Sequence, residues 1–381
     1  MHVLTITPFY PSAQDDGQGC FVSEPLLWTE RIGIDNRVLA VQPFYRDRAE
    51  PGVSNPKANR VRYSSLPGAV GLPTAGTFLF ARVLPTVRRL QEGGAIDLIH
   101  AHSPLPCGHA AMLLNRELGL PFVVTVHGLD AFSLNQVGGW VGKWCGKITR
   151  KVYQFAKSVI CVSEHVRQRV LAGAPDCMTT VVYNGADPDL FFPDPNGQSS
   201  ANMTVLSVGN LIPIKGHEVL MRSVAAIADR HSRLRCEIVG DGPERDRLKL
   251  LARDLGISDR VAFLGRQSRS ALAQTLRRAA VFALPSRYEG LGCVYLEAMA
   301  CAKVAIGCRG QGIEEIIHHG KNGWLVAPDS VEDLASGLST LLESFALRES
   351  IGARARRTIV EGLTLGHQAE QLVRVYRESL A

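Results

Sequence analysis

The chain has 381 residues, which exceeds the size of one ordinary hydrophobic core and suits two domains of about 180 residues each. Hydrophobic residues make up 46% and charged residues 20% of the chain, a balance that excludes a largely disordered protein. The formal charge of +6 is uneven, because residues 1–185 carry 18 Lys and Arg against 13 Asp and Glu. There is no basic stripe interleaved with aromatic residues, so nucleic acid is not an expected partner.

Strand-like and helical patterns alternate through the first half of the chain. Residues 1–8 run directly into the first strand without the basic start of a signal peptide, so none is expected. Runs rich in Val, Ile and Leu predict strands at 3–7, 37–41, 96–100, 122–126, 159–162 and 179–182. Helical patterns fall near 21–33, 75–92, 107–118, 139–157 and 164–172. No run approaches the roughly 18 consecutive apolar residues that a membrane-spanning helix needs.

The helical pattern at 139–157 is strongly cationic. No acidic residue occurs between Asp130 and Glu164, and Trp140 and Trp144 fall at helical spacing within this interval. Its basic residues are Lys143, Lys147, Arg150, Lys151 and Lys157. A cationic helix with tryptophans can lie on an anionic membrane surface. The alternative is a solvated basic face with both tryptophans packed inward.

The second half of the chain repeats the alternation after a linker-like segment. Residues 188–200 are rich in Pro, Asp, Gly and Ser, as is typical of a connection between domains. Strands are predicted at 204–208, 235–239, 261–264, 281–284, 304–307 and 324–326. Continuous apolar runs that alternate with helices indicate doubly wound parallel sheets. Ligands of such sheets bind at the carboxyl ends of the strands, so two such domains predict a ligand-binding cleft between them.

The nine cysteines are scattered without any C-x-x-C pair. This usage is typical of reduced thiols in a cytosolic protein, rather than of a disulfide framework or a zinc site.

The segment 285–300 follows a predicted buried strand and combines a glycine-bearing turn with a helix that begins near Gly292. Gly290 and Gly292 allow close approach of a ligand to the backbone, and the helix N-terminus can bind a diphosphate. Glu289 lies in the turn and Glu297 in the helix, so the two carboxylates would reach different parts of one elongated ligand. The alternative is a capping acid and a surface acid on an amphipathic helix.

Other strand ends carry candidate binding residues. Lys215 follows a predicted strand and could neutralise a phosphate, or it could be an ordinary surface lysine near a helix start. Gly17 and Gly19 form a lone glycine-rich turn, which is weak evidence of phosphate binding. His127 could contact a sugar or a leaving group, or it could be a satisfied structural histidine. Gly265 is equally compatible with a plain tight turn.

Taken in order, these segments resemble the retaining family-4 glycosyltransferases, which have the GT-B architecture of two facing Rossmann-like domains. The resemblance runs nearly from end to end, and its motifs are weak singly but specific together. They are F-Y-P…G-x-G at 9–19, D-L-I-H-A-H at 97–102, T-V-H-G at 125–128, V-S-E at 162–164, Y-N-G-A-D at 183–187 with Phe191, G-D-G-P at 240–243, E-x7-E at 289–297, and the segments 310–316 and 320–328.

The resemblance implies roles for individual residues. Glu289 would hydrogen-bond the hydroxyls of the donor sugar, Glu297 would hold the ribose of the nucleotide, and His127 would lie near the reacting centre. Lys215 would bind the diphosphate, and the base would lie near Gly265 and its neighbour. The implied donor-binding residues are Gly17, Gly19, Asn210, Lys215, Gly265, Arg266, Glu289, Gly290, Leu291, Gly292 and Glu297. His127, Glu289 and Lys215 are the implied catalytic residues.

The resemblance also implies retention of configuration by front-face displacement, in which the departing phosphate helps to deprotonate the acceptor hydroxyl. Such a reaction requires charge stabilisation and alignment but no protein nucleophile, cofactor or metal. Asp130 and Asp241 are therefore not expected to bind a metal.

Three segments depart from the family pattern. Asn210 stands where an arginine is usual, residues 302–304 read A-K-V for G-x-P, and residues 310–315 read G-Q-G-I-E-E for G-G-x-x-E. Asn210 removes one positive charge from the expected phosphate site. This puts the turnover rate in doubt, rather than nucleotide binding.

The expected domains are an acceptor-binding domain at 1–187, onto which a helix at 364–381 packs back, and a nucleotide-sugar-binding domain at 188–363. The acceptor would be a sugar, a lipid-linked molecule or a small molecule in polysaccharide or glycolipid biosynthesis, selected by the loops 44–75 and 128–142. The expected location is cytoplasmic, with peripheral contact to the inner face of the membrane through 140–157. A nucleotide-sugar epimerase or hydrolase and a non-catalytic sensor are the alternatives on the same fold.

Overall fold

The computed structural model describes residues 1–13, 15–46, 58–94, 96–131, 137–195, 197 and 203–381. The chain divides into two compact units, a first unit of Met1–Tyr183 with Leu365–Ala381 and a second unit of Asn184–Thr364. The division predicted from the sequence, between 187 and 188, lies slightly later in the chain. Residues 47–57 and 132–136 of the predicted acceptor loops, and 196 and 198–200 of the predicted linker, lie outside the described residues.

The first unit contains one parallel sheet with the strand order β3-β2-β1-β4-β5-β6-β7. Its strands are β1 (His2–Thr7), β2 (Asp35–Pro43), β3 (Ala58–Tyr63), β4 (Leu98–His102), β5 (Phe122–Val126), β6 (Ser158–Cys161) and β7 (Thr179–Val181). The predicted strands are confirmed within about two residues, but the sequence analysis missed β3. This edge strand has alternating Arg60 and Arg62 instead of a continuous apolar run, because only one neighbouring strand covers it.

The helices of the first unit cover both faces of this sheet, as in other doubly wound folds. They are α1 (Cys20–Arg31), α2 (Leu72–Glu92), α3 (His109–Leu118), α4 (Gly139–Phe155), α5 (Glu164–Gly173) and the last helix of the chain, α12 (Leu365–Leu380). Helix α12 packs Leu372, Val373 and Tyr376 into a core cluster with Val3 of β1 and Leu98 of β4. Each such buried aliphatic side chain contributes about 1.5–3 kcal/mol, which explains why the C-terminal segment returns to this unit.

The second unit contains one parallel sheet in the order β10-β9-β8-β11-β12-β13, the strand order of a Rossmann fold. Its strands are β8 (Thr204–Val208), β9 (Arg235–Val239), β10 (Val261–Gly265), β11 (Val281–Ala283), β12 (Val304–Cys308) and β13 (Trp324–Val326). Its helices are α6 (His217–Ile227), α7 (Arg245–Asp254), α8 (Arg269–Arg278), α9 (Cys293–Ala300), α10 (Val331–Glu343) and α11 (Phe345–Gly362). The strands match the predicted ones within one residue.

Serine N-caps fix the starts of several helices. The hydroxyl of Ser163 accepts the Val166 amide at 3.1 Å before α5, and the hydroxyl of Ser268 accepts the Ala271 amide at 3.3 Å before α8. Each cap satisfies one of the amides that has no partner inside its helix, and such caps typically contribute about 1 kcal/mol.

The segment predicted as a linker is packed in part on the second unit. Phe191 is fully buried, and the guanidinium groups of Arg269 and Arg277 lie over the rings of Phe191 and Phe192. The composition of 188–195 therefore indicated a turn-rich segment, but its two phenylalanines anchor it to this unit.

Helix α2 and the turn before it, Ala69–Glu92, form the one described segment that is long and apolar enough to cross a membrane by length and composition. Such a single helix is weak evidence for a span, because core helices of soluble proteins pass the same test. Leu79, Val83 and Val87 form one buried stripe on it, and α2 packs on α3 within the first unit. We therefore interpret α2 as a core helix.

Candidate active site

Two loops at the carboxyl ends of β8 and β11 bring Lys215 and Glu289 into direct contact. Lys215 lies in the turn between β8 and α6, and its Nζ donates to Oε2 of Glu289 in the loop between β11 and α9. Both side chains are largely buried, at 20% and 15% exposed. The two residues that the sequence analysis assigned to the diphosphate and the sugar therefore form one ion pair at the ligand-binding edge of the sheet.

Gly216 explains why these two loops can approach so closely. Its φ is +72°, and a Cβ atom added there would lie 2.0 Å from the carbonyl oxygen of Pro285. The amide of Arg287 also donates to the carbonyl of Ile214 at 2.8 Å, which ties the loops together by their backbones. A side chain at residue 216 would separate Lys215 from Glu289.

The loop from Glu289 to Gly292 is held against α9. Gly292 begins that helix with φ +78°, and a Cβ atom there would lie 2.8 Å from the ring of Tyr295. Leu291 is fully buried and the neighbouring Gly290 is buried, so the loop has an internal anchor. The positive end of the α9 dipole thus lies beside the Lys215–Glu289 pair.

Gln311 supports this loop, and the sequence analysis did not assign it a role. Its side-chain oxygen accepts the amide of Glu289 at 3.1 Å, and the amide of Gly312 donates to the carbonyl of Glu289 at 3.2 Å. The sequence feature that could have pointed to Gln311 was the departure from the usual G-G pair at 310–311.

Glu297 lies inside α9 and is 3% exposed, which rules out the surface acid considered as an alternative. Its Oε1 accepts a hydrogen bond from Arg269 Nη1 at 2.7 Å. Arg269 is the first residue of α8 and was not singled out from the sequence, because the contact joins residues 28 positions apart.

The remaining predicted residues of the second unit lie at neighbouring strand ends. Asn210 is exposed just after β8, and its carbonyl accepts the amide of Ile212 at 2.9 Å. Gly265 ends β10 and accepts the amide of Gly240 at 2.8 Å, and Arg266 after it is exposed. These positions share the carboxyl edge of the sheet with Lys215.

In the first unit, His127 follows β5, is half-buried, and belongs to a cluster of packed aromatic rings. Its Nε2 lies 3.0 Å from Nδ1 of His102, and the two imidazoles are stacked with their centroids 5.2 Å apart. The rings of Phe9 and Phe21 contact its other sides. Asp130 accepts the amide of His127 at 2.9 Å, so this carboxylate shapes the turn that holds the ring. The cluster was not foreseen, although the H-A-H spacing at 100–102 is the signal for it.

His100 continues the cluster toward the C-terminal helix. Its Nδ1 lies 2.7 Å from the hydroxyl of Tyr376 on α12, and its Nε2 lies 2.7 Å from the hydroxyl of Thr125. Burial lowers the pKa of His100 and of His127 to about 3, and it lowers the pKa of His102 well below its usual value. All three imidazoles are therefore neutral near pH 7, and one proton is shared in the hydrogen bond between His102 and His127.

These depressed pKa values predict that the first unit is destabilised by mild acid. Below pH 6.5 the unfolded chain binds protons that the folded cluster cannot bind, so stability falls from pH 6.5 toward pH 3. Between pH 7.5 and 5.5 each of the three histidines is expected to remove about 1 kcal/mol from the free energy of unfolding. Urea unfolding at both pH values should show a loss about 1 kcal/mol smaller for His102→Asn. The exposed His318→Asn variant should behave like wild type, and an unchanged pH dependence in His102→Asn would contradict the interpretation.

In the glycine-rich loop after β1, two backbone amides are already bonded to the side chain of Asp15. The amides of Gly17 and Gln18 both donate to Oδ1 of Asp15 at 3.1 Å, while Gly19 is the N-cap of α1. Diphosphate binding by the Gly17 amide therefore requires that Asp15 release it, and the contact of this loop with a donor stays a prediction.

Asp130 and Asp241 have partners in the structure. Asp130 accepts backbone amides as described above. Oδ1 of Asp241 accepts the amide of Gly242 at 2.8 Å and lies 3.4 Å from Nη1 of Arg245. Within the described ranges, no three His, Cys, Asp or Glu residues are grouped as a metal site. All nine cysteines lie within the described residues, and no disulfide joins any two of them.

Helix α4 presents its tryptophans outward, so the interpretation with both packed inward is wrong. Trp140 is 66% and Trp144 43% exposed, and their rings are stacked 6.2 Å apart. The buried face of α4 is instead formed by Val141, Cys145 and Val152. Lys143, Lys147, Arg150 and Lys151 are exposed as well.

Solved structures with the same architecture cover nearly the whole chain. Sucrose-phosphate synthase from Thermosynechococcus elongatus has a TM-score of 0.79 at 21% identity and covers 99% of this chain and 98% of its own. HepE from Anabaena, in complex with UDP-glucose, has a TM-score of 0.76 at 20% identity and covers 98% of both chains. The predicted GT-B class, with two Rossmann-like domains, is confirmed.

Sequence comparison gives the family. Residues 33–190 match the family model "Glycosyltransferase Family 4", and residues 191–358 match "Glycosyl transferases group 1". D-inositol 3-phosphate glycosyltransferase from Corynebacterium jeikeium is 30% identical over 329 residues, which are 81% of this chain and 78% of the relative. N-acetyl-alpha-D-glucosaminyl L-malate synthase from Bacillus anthracis is 28% identical over 295 residues, 75% of each chain. The chain therefore belongs to the family-4-like GT-B glycosyltransferases and is a glycosyltransferase, as predicted.

Proposed function

We propose that the chain transfers a hexose, with retention of configuration, from a nucleoside-diphosphate sugar to an acceptor hydroxyl. The observation that carries this proposal is the contact of Lys215 with Glu289 beside the N-terminus of α9. A cation and a helix dipole at one point suit a diphosphate, and an adjacent carboxylate suits sugar hydroxyls. HepE, bound to UDP-glucose, has the same fold, so UDP-sugars are the first donors to test.

The proposed reaction forms a bond between the acceptor oxygen and the anomeric carbon as the bond from that carbon to the β-phosphate oxygen breaks. The acceptor proton passes to the departing diphosphate, which leaves on the face that the acceptor enters. Lys215 and the amides at the start of α9 stabilise the charge that develops on the leaving group. Glu289 orients the sugar, and His127 is the contact to it that we propose from the first unit. No metal or cofactor takes part in this scheme.

A thermal-shift panel of nucleotides and nucleotide sugars tests donor binding, since a ligand that binds only the folded chain raises the melting temperature. We expect one nucleoside diphosphate and its sugar to stabilise the chain, and free sugar to have no effect. An acceptor screen with that donor should then give a product of unchanged anomeric configuration by proton NMR. Inversion would refute the proposed retention, and release of free sugar or an epimer from donor alone would favour a hydrolase or epimerase.

We propose further that the acceptor is lipid-linked and that the protein works in polysaccharide or glycolipid biosynthesis at the inner face of the cell membrane. The support is α4, where two exposed, stacked tryptophans accompany exposed basic residues. Tryptophan is favoured at the membrane interface, and each basic residue near an anionic surface contributes about 1 kcal/mol. The remainder of the protein is proposed to be cytoplasmic.

Neutralising the four exposed basic residues of α4 should therefore weaken membrane binding. The variant changes Lys143, Lys147, Arg150 and Lys151 to Gln, and we expect partitioning to vesicles of phosphatidylglycerol and phosphatidylcholine to fall at least about tenfold. Vesicle sedimentation measures the effect, and the control variant changes Lys249, Arg253, Arg278 and Lys321 of the second unit to Gln. Equal binding of the two variants would make the basic face of α4 an ordinary solvated surface.

A further inference from the structure

The ion pair between Arg269 and Glu297 is the most buried one described in the second unit. Nη1 of Arg269 donates to Oε1 of Glu297 at 2.7 Å, and the two side chains are 12% and 3% exposed. An ionised carboxylate at this depth is costly unless it is paired and hydrogen-bonded. Arg269 is therefore the ion-pair and hydrogen-bond partner that a carboxylate at this depth in α9 requires.

Arg269 is itself held in one position. Ser268 caps α8, which places Arg269 as the first residue of that helix. Its guanidinium group lies 4.8 Å from the ring centroid of Phe191, which is fully buried. A planar cation between an aromatic ring and a carboxylate loses little freedom when it binds, so the orientation of the carboxylate is fixed as well.

Arg269 occupies only one oxygen of Glu297. Among the described residues, Oε2 of Glu297 makes no hydrogen bond. Glu297 is the residue to which the family resemblance assigns the ribose. A carboxylate oxygen can accept a hydrogen bond from each of two vicinal hydroxyls of a ribose, but it has nothing to accept from a deoxyribose carbon.

We propose that Arg269 is a positioning residue for ribonucleotide selectivity. It holds Oε1 of Glu297 and leaves Oε2 to accept from the ribose hydroxyls of the nucleoside diphosphate, and it does not touch the ligand itself. The inference rests on the proposed function, since it concerns the nucleotide of the same donor.

The test compares the affinity for UDP with that for 2′-deoxy-UDP and 3′-deoxy-UDP by isothermal titration calorimetry on the full chain. If the panel described above selects another base, the corresponding ribo- and deoxyribonucleotides are used. A hydrogen bond to a charged group implies that wild type prefers UDP to at least one deoxy analogue by about tenfold or more. Arg269→Met should reduce this preference to less than about threefold, chiefly by weakening UDP. Glu297→Gln should have a similar effect.

Arg277→Met is the matched control. Arg277 lies 4.3 Å from the ring of Phe192 and donates to the carbonyl of Leu190, so its loss removes a similar arginine–phenylalanine contact without touching Glu297. This variant should keep the wild-type preference for UDP. Arg269→Lys serves as a second variant if Arg269→Met does not fold, because it retains the charge. We expect it to lower the preference partly, since an ammonium does not fix the plane of a carboxylate.

Full wild-type preference in the folded Arg269 variants would overturn the inference. The inference would also be overturned if wild type bound UDP and both deoxy analogues with equal affinity. Failure of wild type to bind any nucleotide of the panel would instead contradict the proposed function, so the two failures are distinguishable.

Discussion

Replacement of Glu289 by alanine is expected to lower the rate of sugar transfer about 100- to 1,000-fold, while the affinity for the nucleoside diphosphate changes less than about threefold. The carboxylate lies beside Lys215 in a loop held by Gln311, where it faces the position proposed for the sugar. Its loss removes hydrogen bonds that align the sugar in the transition state. The contacts proposed for the ribose and the base lie elsewhere in the second unit.

The measurement pairs initial rates with the donor and acceptor that wild type uses and calorimetric titration of the nucleoside diphosphate. Glu289→Gln keeps the shape of the side chain and separates loss of charge from loss of packing. Glu332→Gln, at an exposed position on α10, is the control for loss of an acidic charge in the same unit. A collapse of nucleotide affinity in Glu289→Ala would show that its role is at the nucleotide and not at the sugar.

Replacement of Lys215 by alanine is expected to reduce both nucleotide affinity and turnover, with kcat/KM about 100- to 1,000-fold lower. The lysine is proposed to neutralise the diphosphate in the bound donor and in the leaving group, so both steps lose an interaction. The variant also leaves the carboxylate of Glu289 without its cation, and an unpaired negative charge at 15% exposure repels a diphosphate.

The control for this prediction is Lys249→Ala, which removes an exposed lysine from α7 of the same unit. Lys215→Arg should recover part of the affinity, because it restores the charge in a different shape. Rates and affinities are measured as for Glu289. If Lys215→Ala lowered turnover without any change in nucleotide affinity, the assignment of this lysine to the diphosphate would be wrong.

The strands were predictable from the sequence because those buried on both faces appear as continuous apolar runs. The errors occur where this rule fails. Strand β3 alternates polar and apolar residues at a sheet edge. Strand β4 extends to His102 because its two histidines are buried and hydrogen-bonded. Their partners are Thr125 of β5, His127 just after β5, and Tyr376 of α12. A histidine that is satisfied in this way cannot be recognised from periodicity alone.

The candidate site was predictable only in part. The glycine turns at strand ends and the motif spacing placed Lys215 and Glu289 correctly at the carboxyl edge of one sheet, but their ion pair depends on the adjacency of β8 and β11. Arg269 is joined to Glu297 by tertiary packing that no local pattern indicates. The outward tryptophans of α4 could not be predicted from spacing, because a helical period gives a face but not its direction.

The most direct measurement for this account is the electron density of a bound donor in crystals of the full chain soaked with the nucleotide sugar that the thermal-shift panel selects. We expect the diphosphate within hydrogen-bond distance of Lys215 Nζ and of the amides at 290–292, with Glu289 on the sugar and Glu297 on the ribose. Density for the diphosphate away from Lys215 and α9, or a sugar that does not contact Glu289, would contradict the account.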